Sequence, residues 1–408
     1  MLGLLTRGTV EVHGLLEGED VLRTAEACRQ LGAEIVRRAP GHWSVQGPGL
    51  GALLSPRATL DFGNAGTGSR LMMGIVGSHP IEATFDGDPS LRKRPMRRIL
   101  DPLRQMGAQV IAEAEGGRFP VVLQGPDVVS PIVYRTPAAS AQIKSAVLLA
   151  GLNARGTTTV IESEASRDHT EKMLAHFGAD VRVTVEGAGR RVDLVGQPTL
   201  RPVCVRVPAD PSSAAFPIVA ALVTPGSEIV VEGVMANPLR SGLLTTLLEM
   251  GARIDTLDQR DEGGEQVADL KVRHSDLRGV DVPAARAPSM IDEYPILAVA
   301  ASFAQGQTHM RGLHELRVKE SDRLAAVSAG LAAAGVKHEI AGDDLIVEGG
   351  AVRGGGSVET KLDHRIAMSF LVMGMASERP IAIDDADTIA TSFPTFRSLM
   401  ASLGASLD

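Results

Sequence analysis

One phrase recurs six times along the 408-residue chain: the end of a helical run, a glycine, then a short apolar stretch. It reads Leu31-Gly32-Ala33-Glu34-Ile35, Met106-Gly107-Ala108-Gln109-Val110, Phe177-Gly178-Ala179-Asp180-Val181, Met250-Gly251-Ala252-Arg253-Ile254, Ala334-Gly335-Val336 and Leu403-Gly404-Ala405-Ser406-Leu407. The glycines step by 75, 71, 73, 84 and 69 residues. Glycine at a helix end supplies a left-handed C-cap, and the β-branched residues after it suit a strand. Each copy therefore predicts helix, stop and strand, repeated as one supersecondary unit. Most units show a second, earlier helix that opens on a polar cluster, as at Ala139-Ser140-Ala141-Gln142, Asp210-Pro211-Ser212-Ser213, Met290-Ile291-Asp292-Glu293 and Asp363-His364-Arg365. Three units per half give an α/β chain of two similar domains, 1–207 and 208–408. Leu222 to Val230 resembles Leu4 to Val12, yet the cluster from Pro208 to Phe216 has no counterpart before Leu4. The first unit is thus expected to be incomplete, with Leu2, Leu4 and Leu5 as the end of a helix.

Composition narrows the function. No stretch approaches the roughly 18 uninterrupted apolar residues of a membrane span, so no membrane role is expected. A net charge of -8 and 3% aromatic residues argue against a nucleic-acid surface, so any anionic ligand must be held locally. Two cysteines, Cys28 and Cys204, are too few for a disulfide framework or a thiolate metal site. They fit a cytoplasmic protein, and each is expected in the core. The opening Met1 to Leu5 lacks the basic region and cleavage site of a signal peptide.

The polar residues concentrate where helices begin, and helix N-termini favour anions. Gly63-Asn64-Ala65-Gly66-Thr67-Gly68-Ser69-Arg70 reads either as a turn whose backbone approaches a phosphate or carboxylate, with Arg70 as the matching charge, or simply as a tight turn. Leu91-Arg92-Lys93-Arg94-Pro95-Met96-Arg97-Arg98 holds five cations. Pro95 suits a first helical turn, which sets Arg94 against the helix dipole unless an anion compensates, whereas Arg97 and Arg98 suit a solvated face. Ser140 and Gln142 are able to donate to a phosphate, or to cap a helix. In Arg317-Val318-Lys319-Glu320-Ser321-Asp322-Arg323, a helix start makes Lys319 and Glu320 diverge while Arg323, four residues on, returns beside Lys319. Asp292 or Glu293 is placed to serve as a base or as a cap.

These strings together resemble the EPSP synthase (3-phosphoshikimate 1-carboxyvinyltransferase) family over essentially the whole chain. Gly63 to Thr67 with Arg70, and Arg317 to Arg323, look like its two signature regions. The resemblance implies two domains of three repeats with helices inside and sheets outside. It also implies that shikimate 3-phosphate and phosphoenolpyruvate bind in the interdomain cleft, with no metal and no cofactor; a monomer is expected. Carried over by position, Ser140, Gln142, Arg167 and Lys319 contact shikimate 3-phosphate, and Gly66, Arg94, Arg323 and Arg365 contact phosphoenolpyruvate, with Asn64 and Thr67 shaping the pocket. Asp292 would deprotonate the 5-hydroxyl, and Glu320 would exchange a proton with the methylene carbon. Gly66 implies sensitivity to glyphosate, since tolerant members of a divergent class carry alanine there.

Two departures mark the chain as similar to that divergent class: Thr391 where many members have lysine, and Arg167 in Ser166-Arg167-Asp168-His169-Thr170. The family's opening Asp-Lys-Ser with a nearby arginine has no match, so the chain as given is expected to be at best feebly active. Two alternatives are a transferase acting on UDP-N-acetylglucosamine, disfavoured by the Lys319–Arg323 string and the cysteine placement, and a non-catalytic binding form.

Overall fold

The computed structural model describes residues 1–407. The chain divides into two compact units, Met1–Val207 with Glu262–Gly264, and Pro208–Asp261 with the chain from Glu265 onward. The α-helices are α1 (Glu19–Gln30), α2 (Gly66–Val76), α3 (Arg97–Gln105), α4 (Ala141–Gly151), α5 (His169–His176), α6 (Pro211–Val223), α7 (Gly242–Glu249), α8 (Tyr294–Ser302), α9 (Arg323–Ala333), α10 (His364–Ala376) and α11 (Phe396–Ser402). Among the described residues no helix is long and apolar enough to cross a membrane.

One strand pattern recurs. Leu60–Asp61 runs parallel to Glu82–Asp86, which pairs antiparallel with Arg118–Gln124, itself paired with Gln109–Ala114. The same order appears in Val133–Arg135, Thr157–Glu162, Gly189–Val195 and Val181–Glu186, and again in Asp281–Val282, Gln307–Met310, Asp344–Glu348 and His338–Ala341. In the first sheet the parallel strand comes from the far end of the unit, where Cys204–Arg206 lies beside Gly8–His13. In the other sheets an inner helix crosses over between the two strands of the parallel pair, and an outer helix leads into each hairpin. The six repeat glycines have φ between +75° and +108°, the left-handed stop that only glycine adopts freely.

The inner helices are apolar on every side because they are covered on every side. All nine residues of α8 are buried, as are all residues of α6 except Ser213. Their side chains form the core of the second unit with those of α10, while sheets of the first unit turn one face outward, as the alternating burial along Arg118–Gln124 shows. In the first unit α2 and α4 pack so closely that a Cβ on Gly74 would lie 2.3 Å from the Ala146 carbonyl oxygen. This approach sets the first turn of α4 against that of α2.

Two sequence expectations change, while Leu2, Leu4 and Leu5 do lie in a helical turn. Leu2–Leu5 is a short 3-10 helix with Leu4 and Leu5 buried. Ala405–Leu407 forms no strand after Gly404. Cys28 is buried as expected, but Cys204 is exposed, because its strand lies at the edge of its sheet.

Candidate active site

The polar clusters gather into one group on each unit. In the first unit, Gly66 and Thr67 open α2, and Arg70 follows one turn later with 5% of its surface exposed. Arg70 Nη1 donates to Gln142 Oε1 at 2.8 Å, and Gln142 Nε2 donates to Thr67 Oγ1 at 2.8 Å. Arg94 Nη2 donates to Asn64 Oδ1 at 2.8 Å, and Arg94 Nη1 would lie 2.9 Å from a Cβ on Gly66. Arg70, Gln142 and Thr67 are therefore one hydrogen-bonded chain and Arg94 with Asn64 a second pair, and Gly66 lies close to both guanidinium groups.

The electrostatics of this group are those of a cationic cluster. Burial, then the like charges of Arg98 and Arg94, push Arg70 down to about 10. Its Nε is buried without a hydrogen-bond partner. A desolvated guanidinium beside two others, with only an amide for company, is strongly favourable to an anion. Arg98 is exposed, as expected of a solvated face, but it also adds to this field. Arg94 precedes α3 by three residues, and Pro95 stands outside the first turn because that helix begins at Arg97. Ser140 occupies the N-cap position of α4 but makes no side-chain cap bond. Gln142 likewise is engaged across to α2 instead of capping. Arg167 lies half-buried in the segment that precedes α5.

Sequence reading passed over Lys144, which lies in α4 one turn beyond Ser140. It is wholly buried, with Nζ 2.8 Å from both Glu162 Oε2 and Glu171 Oε1. Ser166, next to Arg167, donates its hydroxyl to Glu162, and its carbonyl accepts from Lys144 at 3.4 Å. No periodic pattern reveals such a residue, since a lysine in an apolar helix reads as an exposed position.

In the second unit a single guanidinium organises the group. Arg323, 1% exposed, directs Nε to Asp363 Oδ2 at 2.8 Å, Nη1 to Asp292 Oδ1 at 3.0 Å and Nη2 to Glu320 Oε2 at 2.5 Å. Lys319 Nζ adds a second cation on Asp292 Oδ1 at 3.3 Å. Lys319 and Arg323 do converge, but not through helical spacing. Lys319 is extended and Glu320 lies in the connection ahead of Asp322, the N-cap of α9. A loop held by carboxylates, and not a helix face, brings these side chains together.

Asp363, which sequence reading left without a role, is fully buried and caps α10 by accepting from the Arg365 backbone N–H at 3.0 Å. Burial works to raise its carboxyl, but the Arg323 charge outweighs this and holds it below the ordinary carboxylate range. Burial works equally to lower Arg323, and Asp363 with Glu320 and Asp292 reverses that, so the guanidinium is held charged. His364 is pushed down to about 4 by burial and by Arg365 beside it, which leaves a neutral imidazole at neutral pH. Arg365 Nη1 reaches the Asp292 carbonyl at 3.2 Å and Glu293 Oε1 at 3.4 Å. Glu293, at the N-cap position of α8, makes no side-chain cap bond. The Thr391 hydroxyl donates to the Thr388 carbonyl within its own turn.

Comparison with known proteins agrees with this geometry. The family model for EPSP synthase (3-phosphoshikimate 1-carboxyvinyltransferase) matches residues 1–400. A 3-phosphoshikimate 1-carboxyvinyltransferase of Methylorubrum populi is 67% identical over 413 residues, with 100% of this chain and 91% of that protein covered. One from Methylobacterium radiotolerans is 68% identical over 409 residues, covering 99% and 91%. The solved EPSP synthase of Acinetobacter baumannii superposes with a TM-score of 0.90 at 42% identity, over 98% of this chain and 91% of that one. Six-unit fold, signature strings and full-length similarity coincide: this chain belongs to the EPSP synthase (3-phosphoshikimate 1-carboxyvinyltransferase) family.

Proposed function

We propose that this chain transfers the enolpyruvyl group of phosphoenolpyruvate to the 5-hydroxyl of shikimate 3-phosphate, releasing phosphate, as a step of aromatic amino acid biosynthesis. The observation that carries this reading is one buried guanidinium, Arg323, ion-paired at once to Asp292 and Glu320. Addition needs a base at the hydroxyl and an acid at the methylene carbon. The oxygen then bonds to the central carbon while Glu320 protonates the methylene. In the elimination Glu320 takes a proton back, the carbon–oxygen bond to phosphate breaks, and the double bond is restored. Asp292 receives the hydroxyl proton. Two carboxylates oriented by the same rigid group keep a constant separation through both steps, which is the preorganisation that such proton transfers require. On the first unit, Arg70, Arg94 and Gln142 form a cationic, amide-bearing surface suited to phosphate and carboxylate groups, and Ser140 and Arg167 complete the set for shikimate 3-phosphate. Every residue used lies in one chain, so a monomer suffices, and the two free cysteines suit the cytoplasm.

The deciding experiment is phosphate release from phosphoenolpyruvate with each acceptor offered separately. Release with shikimate 3-phosphate and none with UDP-N-acetylglucosamine is the expected result; the reverse would overturn the reading.

A second expectation concerns Gly66. The Cβ of Gly66→Ala meets Nη1 of Arg94 at 2.9 Å, the far end of a side chain able to yield without disturbing the backbone. The fold should persist while Arg94 shifts away from the pocket. KM for phosphoenolpyruvate is expected to rise roughly three- to tenfold, and inhibition by glyphosate, a longer anion, to weaken more. Equal inhibition of the two forms would show that this contact does not limit the pocket.

A further inference from the structure

We propose that Glu293 is a positioning residue that orients Arg365 and thereby sets the affinity for phosphoenolpyruvate; the inference rests on the reading of Arg365 as a contact to that anion. Three inner helices of the second unit begin side by side here. Ser212 is the second residue of α6, Glu293 directly precedes α8, and Arg365 is the second residue of α10. The Glu293 carboxylate joins all three: its Oε1 accepts from the Ser212 hydroxyl and from Arg365 Nη1 at 3.4 Å. Ser212 is itself held, since Arg240 Nη2 donates to its oxygen at 2.6 Å and the Asp210 carboxylate caps the same turn.

Glu293 is 3% exposed, and Oε2 is buried without a hydrogen-bond partner. Burying an acid with one oxygen unsatisfied opposes folding. A helix cap would account for it, but Glu293 makes no cap bond. The remaining use of the charge is toward Arg365, its one ion-pair partner among the described residues. That guanidinium takes both its contacts through Nη1, to Glu293 and to the Asp292 carbonyl, so it is pinned at one corner. Long arginine side chains lose affinity when left to sample several rotamers, and a fixed corner removes that freedom before a ligand arrives.

The test is steady-state kinetics on the whole chain. Glu293→Gln keeps the shape and the Ser212 acceptor but removes the charge. KM for phosphoenolpyruvate is expected to rise roughly tenfold, with KM for shikimate 3-phosphate within about twofold of its original value. In an Arg365→Met background, which should itself raise KM for phosphoenolpyruvate, Glu293→Gln should add nothing further. Equal effects in the two backgrounds would overturn the inference, as would a parallel rise in both KM values with a lowered melting temperature. If Arg365→Met raises KM for phosphoenolpyruvate while Glu293→Gln alone does not, the inference fails and the role of Arg365 stands. If Arg365→Met leaves that KM unchanged, the role of Arg365 fails and takes the inference with it.

Discussion

Lys144→Met should destabilise the protein by about 3–5 kcal/mol at neutral pH, the cost of leaving buried carboxylates without their cation. Lys144, Glu162 and Glu171 have side chains 0%, 0% and 3% exposed, and methionine matches the lysine stem while removing its charge. For a unit of this size the loss corresponds to a fall of roughly 6–20 °C in melting temperature. One ammonium serves two carboxylates, and burial raises Glu171 above the ordinary range despite the pull of Lys144. The pH dependence has a definite sign. A carboxyl raised in the folded state binds its proton more tightly than in the unfolded chain. Its favourable contribution is therefore present below the ordinary value of 4.5 and is lost as pH rises through the folded value. Without Lys144 the Glu171 carboxyl loses the charge that pulls it down and rises further, so the gap between variant and parent should be small near pH 4.5 and widen toward neutrality. Adding Glu171→Gln to Lys144→Met should recover part of the loss. Thermal melts at several pH values decide the matter: a gap below about 1 kcal/mol at pH 7.5, or one independent of pH, would show that this triad contributes little.

Glu320→Gln should fold normally and lose roughly 10²- to 10⁴-fold in kcat, the range that a positioned proton-transfer group supplies. Its amide oxygen retains an acceptor for Arg323 Nη2, so the loop need not move. Glu320 is also partly exposed, with 37% of its side chain accessible. The melting temperature is accordingly expected to stay within about 2 °C of the parent. The amide cannot carry the proton on and off the methylene carbon, so the loss should fall on kcat and spare the substrate KM values. Turnover like that of the parent would remove Glu320 from the proton-transfer role and leave it as a partner of Arg323 alone.

Much of the architecture was legible in the chain because it depends on local rules. A glycine that stops a helix needs a left-handed φ whatever surrounds it, and all six of the repeat glycines adopt one. An apolar run such as Tyr294 to Ser302 must be buried on every side, and it is. The site was legible in residue type but less so in cause. Arg323 and Lys319 were expected to meet through helical spacing, yet the Asp292 carboxylate joins them across a loop. Gln142 at a helix start suits a ligand donor or a cap; it does not cap, and the close approach at Gly74 makes it the link between Arg70 and Thr67.

The sequence by itself determined the repeat, the helix stops and the stock of cations at helix starts, because these follow from backbone conformation and from hydrophobic periodicity within one segment. Which charge faces which was decided only by the tertiary structure. Arg323 and Asp363 are forty residues apart, as their hydrogen bond records, and Ser212 and Glu293 eighty-one. Lys144, Asp363 and Glu293 are all buried, and nothing in their neighbours along the chain announces it. The physical reason is that a charge is stable in a dry interior only beside its counter-charge, and that partner is supplied by whichever helix or strand the fold packs against it.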